Sequence, residues 1–207
     1  MDKKAMNKLS YGLFVLTAVT GTKDNGCITN TAIQVTTDPN RIAFAVNKAN
    51  LTHDMLLESK VFNISIISEK ADFEVFKRFG FQSGKDVDKF EGYDKFKRSA
   101  NGVTYVTEGT NSYISGTVFD TVDLGTHTLF ICDVTDAEIL TDDRSATYEY
   151  YHANIKPKPE AVGKTPDGQV VWRCTICGYE YVGEELPDDF ICPLCKHPAS
   201  DFEKIIK

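Results

Sequence analysis

The chain's 207 residues, 42% of them hydrophobic and 11% aromatic, supply one medium folded domain and a small appendage, which argues against intrinsic disorder. The net charge is −7, and residues 165–207 alone carry eight acidic against four basic side chains; without clustered Lys and Arg, nucleic acid is not an expected partner. No apolar run approaches the roughly 18 residues of a transmembrane helix, so no membrane association is expected.

Lys3, Lys4 and Lys8 precede an apolar run, Tyr11 to Val19, that invites comparison with a secretory leader. Gly12 and Thr17 interrupt it, and it leads into charged "GTKDN" with no small-residue cleavage pattern, so a buried strand is expected instead. "ITNTAIQVTT" and "RIAFAVN" are again rich in Val, Ile, Thr and Phe, between Gly, Asn and Asp-Pro turn signals. Within "TKDNGCITNTAIQVT", Asn25 and Gly26 are expected to turn the chain, leaving Cys27 to Thr31 to offer small side chains, hydroxyls, an amide and free backbone N–H groups. "NLTHDMLLES" reads as a helix capped by Asn50 or Thr52. "VFNISIIS" returns to strand, and "EKADFEVFKRFGF" reads as a short amphipathic helix ended by Gly80.

Asn101-Gly102, between "FKRSA" and "VTYVT", has the composition of a tight hairpin turn with positive φ at both positions. "SYISGTVFDTVDLGTHTLFICDVTDAEIL" adds two or three strands around Gly116 and Gly125, and "ATYEYYHANI" reads as the last strand. Strands without regular βα alternation predict a mainly β fold, an antiparallel barrel or sandwich over residues 1–155. Neither G-x-G-x-x-G nor a P-loop Lys is present, which argues against a doubly wound nucleotide fold. "KPKPEAVGKTPDG" can build neither periodic element, so a linker is expected at 156–168. The remainder, 169–207, is too small for a self-sufficient core and needs a staple.

That staple is written in four of the chain's six cysteines. Cys174-x-x-Cys177 and Cys192-x-x-Cys195 are separated by 14 residues, a spacing that supplies four soft thiolates to one tetrahedral metal ion in a reducing compartment, the cytoplasm. Spacing alone favours zinc, the usual occupant of a closed four-cysteine site. The residues between the ligands point elsewhere. "WRCTICGYEYVGEELPDDFICPLC" resembles rubredoxin: Trp172 stands two residues before the first ligand, Cys-Gly-Tyr begins at Cys177, "PDDF" precedes the third ligand, Cys-Pro-x-Cys follows, and "DFE" trails at Asp201 to Glu203. The resemblance implies one iron per chain, cycling between Fe(III) and Fe(II), with zinc as the alternative. Trp172, Tyr179, Tyr181, Phe190 and Phe202 are expected to form a dry shell around it. Lys196 stands where the family has Gly, and its ammonium would lie near an anionic centre.

The segments "YGLFVLTAVTG", "DNGCITNTAIQVTTDPNRIAFAVNKANLTHDMLLES", "RFGFQSGKDVDKF", "GTHTLF" and "YEYYHANIK" resemble the flavin reductase family, a split β-barrel that binds FMN, and especially its flavoredoxin-like branch. The resemblance implies that Asn25, Gly26 and the segment Cys27, Ile28, Thr29, Asn30 and Thr31 cradle the isoalloxazine and ribityl chain. It implies that Asn47, Lys48, Asn50 and Thr52 hold the phosphate end, where helix-start N–H groups suit an anion. Phe81 and Lys89 match a segment that reaches the ring, where a cation would stabilise negative charge on reduced flavin. His127 matches a catalytic histidine near the nicotinamide site, with Thr126 where the family has Asp. Cys27 is expected to be a small strand residue, His53 and His152 surface or capping residues, and Tyr148 to Tyr151 packing residues.

Joined in one chain, the two resemblances are those of high-molecular-weight rubredoxins. They imply an NAD(P)H-dependent oxidoreductase passing electrons from NAD(P)H, or an upstream carrier, through FMN to the iron. The implied acceptor is a redox partner such as a flavodiiron protein reducing O2 or NO, and the implied assembly is a homodimer with FMN near the subunit interface. The alternatives are an NAD(P)H:flavin reductase with a structural zinc ribbon, and a pure electron carrier that never uses NAD(P)H.

Overall fold

The computed structural model describes residues 5, 8–157, 170–175, 178–193 and 198–206. Contacts divide the chain into two units, Met1–Lys156 and Pro157–Lys207. From residue 158 onward the expected linker lies outside the described residues.

In the first unit the apolar run becomes β1 (Phe14–Thr20), with Val15, Leu16, Thr17 and Ala18 all buried. Because both faces are covered, it reads as a continuous run instead of an alternating one. The chain reverses at Gly21, whose φ is +59°, and β2 (Lys23–Thr29) pairs along the whole of β1, with Asn25 opposite Ala18 and Gly26 opposite Thr17. The expected turn at Asn25-Gly26 is therefore mid-strand. Glycine is needed at position 26 for space: a Cβ there would lie 3.1 Å from the Phe79 ring and from the Thr17 methyl.

Then come β3 (Ile33–Thr37), β4 (Asn40–Asn47), α1 (Leu51–Ser59), β5 (Val61–Ile67) and α2 (Phe73–Gly80). A small hairpin follows, β6 (Phe96–Arg98) and β7 (Thr104–Val106), and then two long strands, β8 (Thr110–Asp123) and β9 (His127–Ile139). The main sheet has seven antiparallel strands in the order β2-β1-β5-β8-β9-β4-β3, so the mainly β architecture is as expected. One core lies between the sheet and α1, where Phe44 stacks on Phe130 at 5.7 Å and meets Phe62 edge-on at 5.0 Å. A second lies under α2, where Val75, Phe76 and Phe79 pack on Leu13, Val15 and Ile67. Asp72 starts α2 by accepting the Glu74 N–H at 2.9 Å.

Two further local expectations fail. The chain after Thr147 is helical, not a strand: α3 (Tyr148–Tyr150) runs into a π-helical turn at Tyr151–Ile155. Thr147 caps it, accepting the Tyr150 N–H at 3.0 Å, and Tyr151 is drawn onto Phe76 with ring centroids 4.3 Å apart. At Asn101-Gly102, only Gly102 has positive φ, +82°. Asn101 instead spends its side chain holding a longer loop, accepting the Val103 N–H at 3.0 Å and donating to Phe62 O at 3.0 Å.

That hairpin is fastened to the sheet by one fully buried amide. Asn63 donates to Val103 O and to Ser99 Oγ, each at 2.8 Å, while its carbonyl oxygen accepts from Ser115 and Ser99. The polar run "NISIIS" thus hides a satisfied network inside a strand that reads as apolar.

In the second unit β10 (Val170–Cys174) lies between β11 (Glu180–Val182) and β12 (Phe202–Ile206). Its core is Cys174, Cys192 and Phe202, with Trp172, Tyr179, Tyr181 and Phe190 packed against it. No helix among the described residues is long and apolar enough to cross a membrane.

Asn63→Ala is expected to destabilise the first unit by about 3 kcal/mol, because it strands buried hydroxyls and carbonyls together. A urea titration followed by far-UV circular dichroism checks this.

Candidate functional site

Strand β3 begins at Ile33, opposite Ala43, so Ala45 lies on β4 beyond the end of its neighbour. Bare N–H and C=O groups there would be costly, and two threonines complete them. Thr31 Oγ1 accepts the Ala45 N–H at 2.9 Å and stands 3.3 Å from Ala45 O, and Thr29 Oγ1 donates to Ala45 O at 3.2 Å. These bonds tie the end of β2 to β4 and hold residues 30–32 as a short bridge between β2 and β3. They also spend the hydroxyls that the sequence offers to a ligand. The backbone of Cys27, Ile28 and Thr29 pairs with β1 on one side only, because β2 is the first strand in the sheet order, so alternate N–H and C=O groups face away from the sheet.

Asn30 keeps a half-buried side chain. It lines a cavity of about 730 Å³ together with Lys8, Tyr11, Tyr148 and His152. Tyr148 packs edge-on to His152 with centroids 4.5 Å apart. Burial and the neighbouring Lys156 lower the His152 pKa below its ordinary value.

Behind the bridge, β2, the start of α1 and the chain after α2 converge. Asn25 is 2% exposed; its Nδ2 donates to Thr52 Oγ1 at 2.9 Å, while its Oδ1 is buried and has no partner among the described residues. Gly84 presses on this amide so closely that a Cβ would lie 2.2 Å from Oδ1. Beside it, burial raises the Cys27 thiol pKa, opposed by the charge of Lys89 and by hydrogen bonds with the Thr52 and Asn50 side chains. Such a thiol is inert, in keeping with the expectation for Cys27. Lys89, 3% exposed, donates to Gly26 O at 2.8 Å and Phe79 O at 3.0 Å. Among the described residues no carboxylate pairs with it, and burial lowers its pKa from 10.5 to about 8.

At the adjoining end of the sheet, Asn47 faces His127 across the β4–β9 pair. The Lys48 N–H donates to Thr126 O at 3.0 Å, and Lys48 Nζ pairs with Asp123 at 2.7 Å. Hydrogen bonds from Lys48 and the Gly125 N–H hold the Asp123 carboxyl below its ordinary pKa. His127 Nδ1 lies 2.9 Å from Thr126 Oγ1, so a hydroxyl orients the imidazole where the family has a carboxylate. Asn50 caps α1 without a side-chain cap bond, leaving a helix start suited to an anion. Phe81 belongs instead to the cluster under α2, 5.6 Å from Phe73.

His53 is a correction. Far from the surface, it is 5% exposed, with Nδ1 2.9 Å from Asp54 and Nε2 2.9 Å from Thr128 Oγ1. The available signal was helical spacing: position 53 falls on the buried stripe with Leu56. Gly84 was missed altogether, although it lies in the matched segment between Phe81 and Lys89.

The residues present fit a flavin in kind: the half-buried Asn30 amide lines a cavity of about 730 Å³, and the start of α1 has no side-chain cap bond, so donors suited to a ring edge and to an anionic tail are at hand.

In the second unit Cys174 and Cys192 are 1% and 0% exposed. After Cys174 the chain folds back tightly, the Gly178 N–H donating to Cys174 O at 2.9 Å and the Cys174 N–H to Tyr179 O at 2.8 Å, with Gly178 at φ +82°. Phe190 packs on Tyr181 at 4.8 Å and Phe202 at 5.4 Å. Arg173 pairs with Glu180, Nε to Oε1 3.1 Å. Cys177, Cys195 and Lys196 lie outside the described residues. Buried soft donors inside an aromatic shell fit a thiolate-bound metal.

Known proteins match both units. Residues 6–158 match the flavin reductase like domain, and residues 172–203 the rubrerythrin, rubredoxin-like domain. The chain is 36% identical to the high molecular weight rubredoxin of Moorella thermoacetica, over 99% of this chain and 100% of that protein. It is 37% identical to a ferric-chelate reductase (NAD(P)H) of Archaeoglobus fulgidus, over 83% of this chain and 98% of that protein. Among solved structures, an NADH:FAD oxidoreductase of Streptomyces globisporus shares the fold with a TM-score of 0.62 at 20% identity, covering 70% of this chain and 85% of that one.

Two outcomes are expected. Thr31→Val leaves the Ala45 N–H unpartnered and costs about 1–2 kcal/mol, measurable by chemical denaturation. The unfolded chain keeps the Lys89 proton up to 10.5 and the folded chain releases it near 8, so between these values the unfolded state binds more protons and stability rises with pH. Wild type is therefore expected to gain on Lys89→Met across that window, checked by denaturation of both proteins at matched pH.

Proposed function

Since the chain belongs to the flavin reductase-like family and carries a rubredoxin-like domain in the arrangement of the high-molecular-weight rubredoxins, we propose that it carries electrons from NAD(P)H through FMN to a four-cysteine iron, and on to a redox partner. The observation that carries this is the fusion itself: a barrel whose buried Asn25, Asn30 and α1 start fit a flavin shares one chain with a module whose described cysteines are sealed by aromatic rings. A flavin takes up an electron pair as one hydride and releases electrons singly, which is what a one-electron iron requires of its donor. The chain's own residues bind and orient. Asn25, Asn30 and the backbone about Gly26 to Thr31 define the ring end; Asn47, Lys48, Asn50 and Thr52 define the phosphate end; and His127, steered by Thr126, meets the donor.

Cys174, Cys177, Cys192 and Cys195 hold the iron. The acidic surface of residues 165–207 favours a basic partner and salt-sensitive rates, and a flavodiiron protein is the proposed acceptor. Exposed Phe119, Val122 and Leu124 on the β8–β9 hairpin support a homodimer. Two cysteine pairs kept as metal ligands suit the reducing cytoplasm.

Protein from its native source is expected to show Fe(III)-thiolate absorption beside the flavin bands, with one iron per chain. Flavin bands alone with stoichiometric zinc would make it a flavin reductase with a structural ribbon. On anaerobic mixing, NADH or NADPH is expected to bleach the flavin. If neither does so while a reduced carrier protein does, the nicotinamide step fails.

A further inference from the structure

At the junction of α1 with the main sheet, three side chains form one hydrogen-bonded chain. Asp54 Oδ1 lies 2.9 Å from His53 Nδ1, and His53 Nε2 lies 2.9 Å from Thr128 Oγ1. An ionised carboxylate only accepts, so the neutral ring carries its proton on Nδ1 and accepts the Thr128 O–H at Nε2. The same ring meets the Phe130 ring edge-on, centroids 5.8 Å apart, two residues farther along β9. On its open side Asp54 faces Lys85 Nζ at 3.9 Å, in the segment 81–91 that follows α2; an exposed pair of this kind contributes little by itself.

The order Asp–His–Thr is that of a nucleophile with its base, but the hydroxyl is shut away: Thr128 is 7% exposed and His53 5%. The chain is instead a clamp. His127 is the first residue of β9 and Thr128 the second. In the plane of the sheet their backbone is held by pairing with Asn47 and Val46 on β4, and by the Leu124 N–H, which donates to His127 O at 2.9 Å. Bonds in that plane do little to resist tilting out of it; the grip across the sheet comes from α1, through His53. Side chains alternate between the faces of a strand, so what fixes Thr128 on one face fixes the direction in which His127 leaves the other. A leucine would fill the space against Phe130, but an apolar contact does not select one arrangement as a fully bonded polar chain does.

We propose that His53 is a positioning residue for the donor step: held by Asp54, it clamps Thr128 at the start of β9 and so aims His127 at NAD(P)H. That role rests on the reading above, in which NAD(P)H reduces a bound flavin beside His127. A residue that only stabilised α1 would lower the free energy of unfolding and leave the rates of the folded protein alone. One that shaped the phosphate end beside it would weaken FMN. A clamp on His127 leaves FMN affinity in place and slows reduction, since misplacing a group by ~1 Å costs on the order of 100-fold. Because it acts through His127, its effect vanishes once that imidazole is gone.

The test is a double-mutant cycle in the full-length protein between His53→Leu and His127→Ala. His53→Leu is expected to slow anaerobic bleaching of the bound flavin at saturating NADH or NADPH by about tenfold or more, and by no more than about twofold in the His127→Ala background. FMN dissociation constants of the flavin-stripped proteins, read by fluorescence quenching, are expected to stay within about twofold of wild type. His53→Gln, whose amide keeps a hydrogen bond within reach of Thr128, is expected to recover most of the rate. If His53→Leu loses its circular dichroism, Asp54→Ala, at a carboxylate 56% exposed, is carried through the same cycle. In flavin-free protein labelled with nitrogen-15 histidine, whose four rings are assigned by removing each in turn, Asp54→Ala is expected to shift the ring nitrogens of His53 and His127 together. An unchanged bleaching rate, or equal slowing in both backgrounds, overturns the inference. So does a loss of FMN affinity of about tenfold, which would assign His53 to the phosphate end. Where His127→Ala bleaches too slowly to time, the ring nitrogens decide, and a His127 signal unmoved by Asp54→Ala overturns it. Wild type that binds FMN but is bleached by neither nicotinamide overturns the proposed donor step and the clamp with it.

Discussion

The peptide groups of Ala45 are where the main sheet would come undone. β4 outlasts β3 there, and the N–H and C=O that β3 no longer reaches are completed by Thr29 and Thr31 from the end of β2. Side chains thus continue a ladder that backbone began, and through them β2, at one end of the sheet order, meets β4, next to the other end. Everything at the candidate flavin site inherits its position from this join. The bridge bearing Asn30 is suspended from it, β2 is held taut against α1, and the Asn47–His127 pair follows two residues farther along β4.

A taut β2 is also what makes its polar face usable. Asn25 and Cys27 are buried by the backbone of one neighbour and the helix start of another, so their few polar atoms are placed by packing and not by solvent. The cost is visible in an amide oxygen and a cation that, among the described residues, have no partner and no counter-charge. Local economy of this poor kind is common where a structure reserves groups for something other than its own stability.

Much of this was legible in the residues. The strands of the first unit stand where Val, Ile, Thr and Phe cluster, α1 and α2 where the helical stripe predicts them, and Cys174 and Cys192 in the core that their spacing implied. What failed was local chemistry with two readings. "DNG" looks like a turn, but Gly21 turns the chain first and Gly26 is small for the sake of Phe79. "YEYYHANI" has strand composition, but a threonine cap and the pull of Phe76 on Tyr151 wind it into helix. Thr29 and Thr31 read as hydroxyls offered outward, because nothing in a linear sequence says that β3 will begin two residues short of Ala45. His53 reads as a surface or capping residue and Lys89 as a cation matched to a ring-reaching segment; only the three-dimensional meeting of α1 with β9, and of segment 81–91 with β2, buries them.

Trp172 is the chain's single tryptophan, and it sits in the second unit, its indole N–H donated to Gly183 O at 3.1 Å and its ring beneath Lys204. The first unit is rich in Tyr and Phe but contributes no indole. In the flavin-free chain, intrinsic emission excited at the red edge of protein absorption therefore comes from the small module, so its unfolding can be timed in the intact chain by its own light, while the seven-stranded sheet contributes no indole signal.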